Sequence, residues 1–156
     1  MKKVYVAGGC FWGVQGFFKT IAGVTKTTVG YANSKIDNPI YEQVKTQNTN
    51  AVEAVEIFYD EKITSLEKIV EALFSVIDPT ALNYQGPDYG TQYRNGIYYV
   101  NQDDKAIIEN KIAQLSKNIS GKVVTEILEL KNYFLAEEYH QDFTDKHPNI
   151  QCHIKF

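Results

Sequence analysis

The chain has 156 residues, with 16 Lys and Arg against 19 Asp and Glu and a formal charge of −3. Its 44% apolar, 22% charged and 13% aromatic residues suffice for a buried core and exclude the low hydrophobicity of a disordered chain, so one domain over 1–156 is expected. There is no basic footprint for nucleic acid and no apolar run near the ~20 residues that cross a bilayer, so neither is an expected partner.

Val4 to Ala7 reads as a short strand that Gly8-Gly9 breaks. Its four apolar residues fall short of the roughly 7–15 of an export signal, so Ala-Gly-Gly before Cys10 is not read as a lipoprotein cleavage site. From Cys10 to about Ile21, Phe11, Val14, Phe17, Phe18 and Ile21 recur three and four apart, a helical stripe ended by Gly23. Thr25 to Tyr31 alternates as a strand, and the Asn-rich segment Ala32 to Asn50, broken by Pro39, is a long loop of the kind that carries function.

Val52 to Tyr59 alternates again, with Glu53 on one face and Glu56 on the other, so one glutamate accompanies whichever face meets the core. Thr64 and Glu67 form a capping box for a helix with Leu66, Ile69, Val70, Leu73 and Ile77 on one side, closed at Asp78-Pro79. A second long loop, Thr80 to Asn95, leads to a strand at Gly96 to Val100. Asp103 to Lys117 is a helix with Ile107, Ile108, Ile112 and Leu115 inward, Val123 to Leu130 a strand, and Leu135 to Lys146 a short helix before an irregular tail. This order predicts an α+β fold, a mixed β-sheet with packed helices and long irregular loops.

Cys10 falls at a strand-to-helix junction, where unpaired N–H groups and the helix dipole favour a thiolate. Gly8, Gly9 and Gly13 open space around it, and Phe11 and Trp12, the latter the only tryptophan, add apolar surface. The residues alone leave a small buried structural cysteine as the other reading. The only other cysteine is Cys152. Two cysteines outside any C-x-x-C or metal spacing point to a reducing compartment, the cytoplasm. Three scattered histidines, His140, His147 and His153, make no metal site.

Gly9-Cys10-Phe11-Trp12-Gly13 resembles the signature of the methionine-S-sulfoxide reductase (MsrA) family. Further blocks similar to that family follow in order: Gly30-Tyr31, Asn38-Pro39-Ile40-Tyr41, Glu53-Ala54-Val55 to Tyr59-Asp60, Asp78-Pro79, Asp88 to Arg94, and Ala136 to Gln141. Together they span almost the whole chain. The resemblance implies a two-layer sandwich with a ferredoxin-like (α/β plait) core. It also implies a monomer without cofactor that reduces methionine S-sulfoxide, free or in oxidised proteins.

By the same resemblance Cys10 is the nucleophile that becomes a sulfenic acid, Glu53 the proton donor, and Tyr41 and Tyr93 hydrogen-bond partners of the sulfoxide oxygen. Phe11 and Trp12 cradle the S-methyl group, Asp88 contacts the substrate backbone directly or through water, and Cys152 resolves the sulfenic acid as a disulfide that thioredoxin reduces. Reduction of a sulfoxide needs both a thiolate and an acid, because unprotonated oxygen leaves poorly, and an apolar strand raises a carboxyl pKa towards that task. Read without the resemblance, Glu53 equally fits a solvated edge position, and Tyr41 and Tyr93 are two of 11 tyrosines.

The chain departs from the family pattern at Thr49-Asn50-Ala51-Val52, where many relatives carry Gly-His-Ala, and in lacking Gly-rich sequence around Cys152. Two other functions stay open at this level. One is a cysteine hydrolase using Cys10 with His140 as base and Asp88 or Asp142 as orienter; the other is a binding module whose tyrosine-rich loops form an aromatic face.

Overall fold

The alternation at Val52 to Tyr59 becomes the strand around which the sheet is built in the computed structural model, which describes residues 1–150 and 152–154. In chain order the elements are β1 (Lys2–Ala7), α1 (Phe11–Phe18), β2 (Val24–Ala32), α2 (Tyr41–Val44), β3 (Val52–Tyr59), α3 (Leu66–Val76) and the hairpin β4 (Tyr84–Gln85) to β5 (Asp88–Tyr89). They continue with β6 (Gly96–Tyr99), α4 (Asp104–Ser116), β7 (Glu126–Glu129), β8 (Tyr133–Leu135) and α5 (Phe143–Lys146), with 3-10 turns at Thr91–Tyr93 and Glu138–His140.

The main sheet has the order β7-β6-β1-β3-β2-β8. Every neighbouring pair is antiparallel except β6 with β7, which makes it a mixed sheet in an α+β fold. Register follows from side-chain period two. Val55 lies between Val6 and Val29, Glu56 between Tyr5 and Thr28, and Glu53 opposite Tyr31. The face of Val4, Val6, Val29, Tyr31, Val55 and Ile57 packs with Phe11, Val14 and Phe18 of α1, Ile69, Val70 and Leu73 of α3, and Ile108 of α4. The opposite face carries a smaller cluster, Tyr5, Ala7, Ala32, Val52, Ala54 and Tyr98. Each face therefore takes a glutamate. Glu56 accepts the Tyr5 hydroxyl at 2.5 Å and Thr28 at 3.1 Å on the smaller-cluster side.

Several boundaries differ from the sequence reading, each for a physical reason. The cap of α3 is Ser65, whose hydroxyl accepts Lys68 N–H at 3.2 Å, while Thr64 closes a turn on Asp60 and is buried. In α4 the buried stripe runs Asp104, Ile108 and Ile112, four apart, and Ile107 is exposed. The expected strand over 123–130 is paired only at Glu126–Glu129.

The expected helix over 135–146 does not form. Leu135 instead pairs with Gly30 in β8, covering the outer edge of β2, and Asp142 at φ 53 interrupts the chain before α5. Satisfying an open strand edge outweighs local helix preference here. The Gln141 side chain extends that edge, accepting Val29 N–H at 2.9 Å and donating to Val29 O at 2.8 Å. Among the described residues, no helix is long and apolar enough to cross a membrane.

The contact of β2 with β8 leaves no room at Gly30, where a Cβ would stand 2.5 Å from Tyr133 ring carbons and 2.6 Å from Phe134 O. Gly30→Ala is expected to destabilise the fold by about 1–3 kcal/mol through overpacking, read as a lower urea midpoint at unchanged m-value.

Candidate active site

β1 delivers its chain end to α1 through a tight turn in which Gly9 has φ 87, a conformation that L side chains rarely adopt. Cys10 then occupies the N-cap of α1, where its side chain makes no capping hydrogen bond, and the nearby Trp12 backbone N–H favours its thiolate. That influence is the helix-end stabilisation anticipated from the sequence, but it does not dominate. Burial and, next, the charge of Glu53 push the Cys10 thiol well above its ordinary value, against the pull of Trp12 N–H. The expectation of a depressed thiol pKa is thus corrected. Desolvation penalises the thiolate more than one backbone donor favours it.

Glu53 reaches the same place from β3. It is 2% exposed, on the face packed with α1, and its Oε1 accepts Phe11 N–H at 3.2 Å. Burial raises its carboxyl from 4.5 to about 8, with the Phe11 bond working downward and Asp88 upward. Near neutral pH the carboxyl therefore keeps its proton, held on the amide of the residue that follows Cys10. Tyr41 opens α2 and Tyr93 ends the 3-10 turn, and their hydroxyls lie within hydrogen-bonding reach of each other. Burial raises both phenols, and the charge of Glu53 acts on each. Asp88, at the start of β5, is close enough for its charge to act on Cys10, Glu53 and Cys152.

Phe11 is buried, with its ring 5.7 Å from Tyr31 and 5.2 Å from His140. Trp12 is half-buried, stacks on Phe143 at 3.6 Å and donates its indole N–H to His140 Nδ1 at 2.9 Å. Cys152 lies on the first turn of α1, its sulfur 3.5 Å from where a Cβ on Gly13 would stand. Both cysteines are free, and burial raises the Cys152 thiol as well. The structure thus gathers Cys10, Phe11, Trp12, Tyr41, Glu53, Asp88, Tyr93 and Cys152 around one helix start.

The hydrolase dyad is not assembled. His140 is 1% exposed and spends Nδ1 on Trp12, while its Nε2 has no hydrogen-bond partner among the described residues. The Asp142 carboxylate is taken up by Lys19 at 2.7 Å and Gln15 at 3.3 Å. Among the described residues, no group of three His, Cys, Asp or Glu could hold a metal ion.

Two supporting residues had escaped a role in the sequence reading. Glu137 accepts Tyr31 O–H at 2.8 Å and Tyr41 N–H at 3.0 Å, tying β2 to the start of α2. Burial alone would raise its carboxyl, but those bonds hold it below the ordinary range. Tyr31 in turn stands opposite Glu53 and against Phe11. Both lie in blocks quoted for the resemblance, yet no periodicity separates them from neighbouring polar residues.

The sequence pattern of the peptide methionine sulfoxide reductase family matches residues 2–156. The chain belongs to that family. A relative from Metamycoplasma arthritidis named peptide methionine sulfoxide reductase MsrA is 64% identical over 156 residues, covering all of both chains. The reduced form of Mxr1 from Saccharomyces cerevisiae superposes with a TM-score of 0.94 at 32% identity, over 99% of this chain and 91% of that one. Mxr1 in complex with Trx2 shares the fold at a TM-score of 0.67 and 21% identity, over 89% of this chain and 83% of that one. Within this reductase family architecture, the buried acid on β3 faces the cysteine that opens α1.

Glu53 makes the stability of this family member pH-dependent. Below about 4.5 the carboxyl is protonated in both states, whereas between 4.5 and about 8 only the unfolded chain releases its proton. Glu53 stabilisation is therefore complete at low pH and lost as pH rises through about 8. A carboxyl NMR titration should give an apparent pKa near 8, and Glu53→Gln should flatten the fall in urea midpoint across the same window.

Proposed function

We propose that this chain reduces methionine sulfoxide, free or within an oxidised protein, to methionine by thiol chemistry at Cys10. The observation that carries the reading is the buried, proton-bearing Glu53 carboxyl held on Phe11 N–H beside the cysteine. When Glu53 is protonated it carries no charge, so its repulsion of a Cys10 thiolate disappears and Trp12 N–H remains to stabilise that anion. The working form of the acid is thus also the form that lets the nucleophile ionise.

The S-methyl group rests against Phe11 and Trp12, whose rings offer area and sulfur contact. Asp88 holds the substrate backbone, directly or through water. The sulfoxide oxygen faces Glu53 and the Tyr41–Tyr93 pair, which supply protons and hydrogen bonds as it leaves sulfur. In sum, thiol and sulfoxide give sulfenic acid and methionine: the substrate sulfur gains two electrons, the Cys10 sulfur loses two, and the oxygen ends on Cys10. Attack by Cys152 forms a disulfide, and thioredoxin returns both thiols. Assignment to the S epimer follows the family, MsrA and MsrB each serving one epimer.

We read residues 1–156 as one catalytic domain acting as a cytoplasmic monomer without cofactor; the family match over 2–156 supports the single domain. The strand order β6-β1-β3-β2, antiparallel throughout, supports a ferredoxin-like plait as its centre.

Separate Cys10→Ser and Cys152→Ser variants test the scheme in single-turnover and thioredoxin-coupled assays. The first is expected to abolish both activities; the second should spare one turnover and stop the coupled cycle. Glu53→Gln should lower the single-turnover rate by about 10²–10⁴-fold, and the native rate should fall as pH rises past about 8. A Glu53→Gln enzyme with the native rate and pH profile would remove the acid from the mechanism.

A further inference from the structure

Residues Cys152, His153 and Ile154 return to the turn before α1 and are fastened there. Ile154 is buried in the main core, and Cys152 lies against Gly13, where an added Cβ would stand 3.0 Å from the Cys152 Cβ. Between them, the His153 imidazole is drawn in over the turn that precedes α1, with Nε2 2.6 Å from Gly8 O. Gly9 and Gly86 make room for it: a Cβ on Gly9 would meet His153 Nε2 at 2.9 Å, and one on Gly86 its Cβ at 3.2 Å. A carbonyl oxygen only accepts, so Nε2 carries the hydrogen. Among the described residues, Nδ1 is buried without a hydrogen-bond partner and the Gly8 bond is the only hydrogen bond anchoring this ring.

One hydrogen bond therefore links the residue after Cys152 to the residue two before Cys10. Cys152, seated on the first turn of α1, is close enough for its charge to act on the Cys10 thiol. An irregular segment such as the one around Cys152 holds its place only where it is tied down, and a loose one would lose the orientation that makes an intramolecular attack fast.

We propose that His153 is a positioning residue for disulfide formation, its Nε2–H bond to Gly8 O holding Cys152 within reach of Cys10. The proposal rests on Cys152 being the resolving thiol. In that step the Cys152 sulfur, having released its proton, attacks the Cys10 sulfenic sulfur. The S–S bond forms, the S–O bond breaks, and the hydroxyl leaves with a proton as water. Cys10 sulfur is reduced from the sulfenic state as Cys152 sulfur is oxidised.

The test compares His153→Phe, which keeps a ring without a donor, with His153→Gln, which restores an N–H donor at similar reach. After one equivalent of methionine sulfoxide, samples are quenched with an alkylating agent and the disulfide is quantified by mass spectrometry over time. Both variants should release methionine in the first turnover at the native rate. In His153→Phe the disulfide should form about tenfold or more slowly, with the thioredoxin-coupled rate falling alongside, and His153→Gln should recover most of the loss. Native disulfide kinetics in His153→Phe, or equal loss in both variants, overturns the latch. Cys152→Ser run in parallel separates the two claims: an undiminished coupled rate in that variant overturns the resolving role itself, and the latch with it.

Discussion

One hydrogen bond organises this molecule: the Phe11 amide donating to the carboxyl of Glu53. The first amides of any helix lack partners inside the helix, and here one of them is given to a side chain brought in by the neighbouring sheet. The bond sets α1 at a fixed position on β3 and removes a carboxyl from water at once. A fully buried acid with a single backbone donor is poorly compensated as an anion, which is why it holds its proton near neutrality. The cysteine at the helix cap experiences the same exclusion of water, and its thiol is held up for the same reason.

The aromatic surroundings follow from the need to keep that small volume dry and rigid. Trp12 is fixed on two sides, by stacking on Phe143 and by its indole bond to His140. His140 is itself enclosed by the rings of Phe11, Tyr41 and Tyr139 at 5.2, 5.2 and 4.0 Å. The histidine that motif logic enlists as a base is instead the acceptor that orients an indole. Glu137 does a related task for Tyr41, accepting its backbone N–H and so fixing the start of α2.

Elements with strong internal periodicity were legible in the chain itself. β3 runs from Val52 to Tyr59, as its alternation indicates, and α3 and α4 lie where their apolar spacing places them. What escaped was decided at a distance. Leu135 and Ala136 look like the start of a helix, yet the open edge of β2 claims them. Alternation also states that Glu53 and Glu56 part to opposite faces, without saying which face receives the helix that carries Cys10. The roles of Cys10, Glu53, Tyr41 and Tyr93 came from family blocks, and the tendency of Cys10 to ionise was misjudged because a sequence shows the helix end but not the burial around it.

The register of β3 has a consequence for how such a protein can change. Glu53 owes its position to ladders with β1 and β2 that run along most of the strand, and a slip of one residue would turn it to the opposite side of the sheet. The acid is thereby insulated from the long segments before and after it. Insertions and substitutions in those segments can reshape the surface around α1 while the buried carboxyl stays where strand pairing put it.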